Sequence, residues 1–158
     1  MTLLRSLMLL ALIAWIGGII FFAFVLAPTV FSVLPTREMA GNVVNPSLTA
    51  LHWIGLVAGV IFLICSLFLG RIQYARFKPA TLVHGLAVLM LALTLVSQFA
   101  ISPRMSSLRS EMGVIDNVAF SDTRRVEFNR LHQWSTRSEV GVLLCGLLVV
   151  VLTARQRG

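Results

Sequence analysis

Three histidines, one deeply placed acid and a scatter of arginines are the residues whose types and spacing could do chemistry in this sequence. His52 falls in the second apolar run. His132, Ser135 and Glu139 lie in the last one, where at 100° per residue they share a narrow stripe with Phe128 while Arg137 points almost the other way. His52 and His132 should sit at similar depth, roughly 6 to 10 Å below the outer membrane surface, with Glu139 one or two turns deeper. Arg104, Arg109, Glu127 and Asn129 could close over them. Such a set could bind an anion, a metal ion, or a haem b held by histidines on facing helices. The plainer alternative is a buried hydrogen-bonded network that fixes helix register and satisfies polar groups that lipid cannot.

A second set, Met8 and His84, enters the membrane from the opposite side at comparable depth. A Met plus a His can ligate haem iron or copper, although a packing Met beside a His bonded to a carbonyl explains the same two residues. Met39, Met105 and Met112 suggest soft-metal capture with the outer histidines, but their spacing follows no repeat. The outer arginines could meet phosphate headgroups or a partner protein, or simply pair with local acids. The sequence holds no nucleophile elbow, no Gly-rich phosphate loop and no zinc-type Cys/His spacing.

These residues are positioned above all by the last helix, 122–154, whose polar first half runs into its apolar second half without a break signal. Between Glu139 and Arg155 there are fifteen uncharged residues. They cover only about 22 Å of a hydrocarbon layer that is about 30 Å thick. To span, the helix must draw Glu139 inside, leaving Arg137 near the edge and Trp134 at headgroup level. Arg137 can snorkel outward, whereas Glu139 is too short for that and should face the other helices, neutral or paired.

With 158 residues, 58% hydrophobic and 12% charged, and a mean hydropathy of +0.91, the chain reads as one integral membrane domain. Its net charge of +7 sits mostly between apolar runs and at their ends, which fits a membrane surface and not nucleic acid. Cys65 and Cys145 fall inside spans and read as small packing residues without a disulfide. Arg5 ahead of an apolar run imitates a signal peptide. The thirty-one uncharged residues from there to Arg37 are too many for a cleavable leader, so the expectation is a retained anchor.

In order, the spans are expected at about 3–34, 46–70, 80–101 and 122–154 within a single domain 1–158. Pro28 should kink the first, and Thr36 should open a short interfacial piece, 37–44. Asn45-Pro46 should start the second span as N-cap and first turn. Within it His52, Gly55, Gly59, Leu63, Ser66 and Gly70 share one face, the mark of a packing seam. A basic hinge, 71–79, follows. The third span carries His84 near its beginning and Gln98 near its end, and Ser102-Pro103 should break it. Residues 104–112 should form a short helix on the outer side, 113–120 a loop, and Ser121-Asp122 the cap of the last span. Acid-free basic flanks at both termini and the hinge favour both ends in the cytoplasm.

Trp15-Ile16-Gly17-Gly18 with Phe21 and Phe22, then Phe31-Ser32-Val33-Leu34-Pro35, Asn45-Pro46 and His52 resemble the first half of a family of small four-helix proteins. That family is domain of unknown function 4149, or transmembrane-protein-205-like. Ser102-Pro103-Arg104, Phe128-Asn129-Arg130-Leu131-His132 and Ser135 resemble its second half, so the likeness covers nearly the whole chain. It implies a four-helix membrane protein and no defined activity. A more distant likeness runs to the copper-resistance-protein-D membrane domain and the small membrane protoporphyrinogen oxidases. In those a His seven residues before Trp-x-Gly is taken to hold haem; here Trp15-Ile16-Gly17 is preceded at that position by Met8, a departure from the pattern.

The fold class expected is therefore an all-α integral membrane protein, a four-transmembrane-helix bundle with a short outer-side helical excursion. The leading functional reading is a non-enzymatic accessory subunit or ligand-binding module using the His52, His132 and Glu139 region. A haem- or metal-binding redox protein is the first alternative, and a transporter the second, which with four helices would need a homodimer. Expected partners are membrane lipid and a larger membrane complex or a second copy, in a plasma membrane of the bacterial inner-membrane type.

Overall fold

The computed structural model describes residues 2–73, 78–113 and 117–155, and the side chains of 71–73 and 78–81 lie outside that description. Parts of the expected hinge and loop, 74–77 and 114–116, therefore lie outside the described residues. The described α-helices are α1 (Thr2–Phe21), α2 (Ala27–Val33), α3 (Arg37–Gln73), α4 (Lys78–Val96), α5 (Ser102–Met112) and α6 (Thr123–Arg155). Two five-residue π-helical turns, Phe22–Leu26 and Ser97–Ile101, join α1 to α2 and α4 to α5. Four helical stretches, Thr2–Val33, Arg37–Gly70, Leu82–Met112 and Thr123–Arg155, are long and apolar enough to cross a membrane. The protein is an all-α, multi-pass membrane bundle.

Proline sets the local geometry. Leu34, directly before Pro35, is driven to ψ 139, and there the first span ends. Pro28 and Pro103 instead stand at the second position of α2 and α5, each just after a π turn. An extra residue per turn removes the clash between the proline ring and the carbonyl one turn back. The expected break at Ser102-Pro103 is consequently absent: backbone angles stay helical through Val96, Ile101 and Ser102. Nor does the second span begin at Asn45-Pro46. Thr36 caps a helix that starts at Arg37, its Oγ1 accepting the Met39 N–H at 3.2 Å, and Pro46 lies inside α3. One missing N–H is tolerated in so long a helix, and Ser47 Oγ donates to the Val43 carbonyl at 2.8 Å beside it. Gly113, at φ +64, closes α5 in a conformation open to glycine. Asp122 caps α6, its Oδ1 accepting the Arg124 N–H at 2.8 Å.

The helices form a ring in which α1 packs on α3, α3 on α4, α4 on α6, and α6 back on α1. Trp15, 2% exposed, is the central wedge. Its indole lies on Gly55 and Gly59 of α3, so closely that a Cβ on Gly59 would fall 2.6 Å from Cζ3. Gly146 of α6 similarly accepts Ile16. Small residues allow this approach where lipid supplies no hydrophobic drive between helices. Meanwhile Leu10, Ile13, Phe24, Val57, Leu82 and Leu148 are exposed, the apolar skin of a bundle immersed in lipid. Residues of early α1 and late α6 line one shared groove, so both described chain ends lie at one end of the bundle. The other is the α5 end.

Candidate functional site

Three helices converge on one imidazole. His52 of α3 is 2% exposed, and its Nδ1 lies 2.8 Å from Gln98 Oε1 in the second π turn. Its Nε2 lies 2.7 Å from Glu139 Oε1 on α6. With Gln98 Oε1 as the acceptor, Nδ1 carries a proton. The contact to Glu139 also needs one proton, held either as imidazolium with carboxylate or as imidazole with carboxylic acid. In both arrangements the pair is neutral overall, which suits a bundle interior. One residue along, Trp53 and Phe99 meet edge to face with centroids 5.9 Å apart, clamping α3 to the π turn.

Glu139 is the member of this group that reaches open space. Its side chain is 17% exposed and lines a cavity of about 590 Å³ at the α5 end. Phe22, Phe24 and Phe31 from the first π turn and α2 form one wall. Asn45 and Thr49 of α3, and Ser102 and Ser106 of α5, bring polar groups to the others. His132 and Ser135 share the α6 wall with Glu139, as their common stripe predicts, and Thr136 lies beside them. The first π turn thus borders the space, and the second reaches it through Ser102, which follows it.

The anticipated residues part company here. His52 and Glu139 are joined, while His132 is exposed and lies in the cavity wall, not on His52. Arg104 forms a two-pronged pair with Glu127, at 2.9 and 3.1 Å, binding α5 to α6. Arg109 packs on Gly41 and donates to the Glu38 carbonyl at 2.8 Å, binding α5 to α3. Neither guanidinium lines the cavity, and Asn129 is exposed and outside it. Met8 is buried in the apolar core, and His84 Nε2 lies 3.1 Å from Ser66 Oγ across α4 and α3. Gln98 was not anticipated as a site residue. An amide in an apolar run was the available signal, since lipid gives it no partner.

A haem held by paired histidines does not fit these donors, because both ring nitrogens of His52 are already engaged. Among the described residues no three His, Cys, Asp or Glu side chains gather as a metal ion requires. At the surface of the α5 end, the Arg124 guanidinium and backbone N–H hold the Asp122 carboxyl down at about 2. Arg125 lies over the Phe120 ring at 3.9 Å and donates to the Val118 carbonyl.

Comparison with known proteins adds a family and little chemistry. A family described as Domain of unknown function (DUF4149) matches residues 10–113, a stretch that holds His52 and Gln98 and stops before α6. An uncharacterized protein of Aquifex aeolicus (strain VF5) is 36% identical over 102 residues, covering 64% of this chain and 69% of that protein. No solved structure matches the chain.

Proposed function

Since the chain belongs to the Domain of unknown function (DUF4149) family, a name that carries no activity, we propose from its site that it is a membrane-embedded ligand-binding module. The observation behind this reading is the carboxyl of Glu139. One oxygen is bonded to His52, and the residue lines a cavity of about 590 Å³ with aromatic and hydroxyl walls. Mostly apolar clefts with a few converging polar groups are the ordinary form of small-molecule sites. The occupant is an amphiphile, its tail along Phe22, Phe24 and Phe31 and its head toward Glu139, Ser135 and His132.

Native mass spectrometry of protein released from mild detergent tests this. One amphiphile-sized adduct per chain is expected, lost in Ser135→Phe, which puts a ring into the cavity beside Glu139. A chain that emerges bare, or an adduct that survives the substitution, defeats the reading.

We further infer that the α5 end faces away from the cytoplasm of a bacterial inner membrane. Support comes from Arg5 and Arg155 at the opposite end, in flanks that carry no acid. An Arg155→Cys variant in intact cells should resist a membrane-impermeant maleimide, and rapid labelling would reverse the orientation.

A further inference from the structure

Resting on the pocket reading above, we propose that the pocket takes a hydrophobic cation, and that its binding at Glu139 expels the proton shared between Glu139 and His52. The charge of the walls points to a cation. Among the described lining residues Glu139 is the acid, and neither Lys nor Arg is present. Arg137, two residues from Glu139, is not among the lining residues and lies over the Trp134 ring at 5.6 Å, while Arg104 is committed to Glu127 and Arg109 to the Glu38 carbonyl. An anionic head would meet a carboxyl with nothing to offset it, whereas a cation meets a carboxylate oxygen in a cavity lined by Phe22, Phe24 and Phe31.

The proton follows from the hydrogen bonds. Gln98 Oε1 keeps a proton on Nδ1, so the labile one is that held at 2.7 Å between Nε2 and Glu139 Oε1. Before binding, imidazolium and carboxylate sum to zero; afterwards the cation and carboxylate sum to zero beside a neutral imidazole. Retaining all three charges would leave a net positive charge inside the bundle, which is expensive. The proton therefore leaves through the cavity to water as the carboxylate turns from His52 to the cation. His132, on the wall, is the other titratable group of the lining; the π turn contributes uncharged Gln98, and the α1 and α2 walls contribute apolar side chains.

Tetraphenylphosphonium and tetraphenylborate, nearly identical in shape and opposite in charge, decide the matter by titration calorimetry in a non-ionic detergent. The phosphonium should bind one per chain, at least tenfold tighter than the borate. Repeating the titration at one pH in buffers of different ionisation enthalpy should count about one proton released per cation. Glu139→Gln, which keeps size and can donate an amide N–H to Nε2, should weaken the phosphonium at least tenfold. His52→Gln, in which Glu139 must hold the proton alone, should bind it and still release about one proton. Both unmodified-protein readouts stand even if a variant fails to fold. Borate binding as tight as the phosphonium, cation binding without a proton, or an unaffected Glu139→Gln would overturn the proposal. If the phosphonium fails while the Ser135-sensitive adduct persists, the cation assignment falls and the pocket survives; if both fail, the pocket falls too.

Discussion

His52 and Glu139 stand 87 positions apart in sequence and 2.7 Å apart in space, joined by a single hydrogen bond. Their contact couples α3 to α6, and through Gln98 to α4 as well.

Breaking that contact from one side should be worse than softening it. His52→Leu should lose about 2 to 3 kcal/mol, the low side of a severed buried pair, because Glu139 can take up a proton and turn neutral. Glu139→Gln retains a hydrogen bond, its amide N–H donating to Nε2, and should lose less than about 1 kcal/mol, near the usual membrane hydrogen bond. Reversible unfolding in mixed micelles measures both; equal losses would mean that the pair is not what holds α6 in place.

Gln98→Leu removes the acceptor from Nδ1 and leaves a buried N–H unmet, an expected loss of about 1 to 3 kcal/mol. Nitrogen NMR of the His52 ring should show Nδ1 fully protonated in the parent protein and partly deprotonated in the variant. An unchanged spectrum would contradict the geometry.

Glycines divide into two groups. Gly55→Ala and Gly59→Ala put a methyl into the Trp15 indole and should lose about 1 to 3 kcal/mol. Gly17→Ala and Gly85→Ala meet nothing within 4 Å and should be neutral or gain up to about 1 kcal/mol. Melting temperatures of the four variants in one detergent test the contrast.

The cap of α6 should respond to acid. Asp122 titrates at about 2 against an ordinary 3.8, so its contribution is complete above the ordinary value and disappears as pH falls through the folded one. Carbonyl NMR should follow Asp122 to that low midpoint, and Asp122→Ala should abolish the acid-induced fraying of the first turn. A midpoint near 3.8 would show that Arg124 does not hold it.

The number of spans was legible because apolar length alone decides it, and the inward position of Glu139 was legible because fifteen uncharged residues cannot reach across a bilayer. The glycine seam of α3 was legible from its spacing, and it does receive Trp15. Partners were not. Nothing in the spacing of Gln98, 46 positions from His52, says that the two meet. The prolines misled for a related reason: Pro46 and Pro103 read as ends, yet Pro103 follows a π turn and Pro46 costs a helix of 37 residues a single N–H. Arg104 and Arg109 share the cavity's end of the chain but have nearer acceptors, which sequence does not reveal.

The indole of Trp15 has a reach beyond the groove it fills. Gly55 rests on it one turn from His52, on the same face of α3, so it serves as a doorstop against sliding of α3 along α1. The height at which the imidazole greets its carboxyl is thereby decided by a ring that bonds to neither, and enlarging or shrinking that ring would retune the pair from a distance.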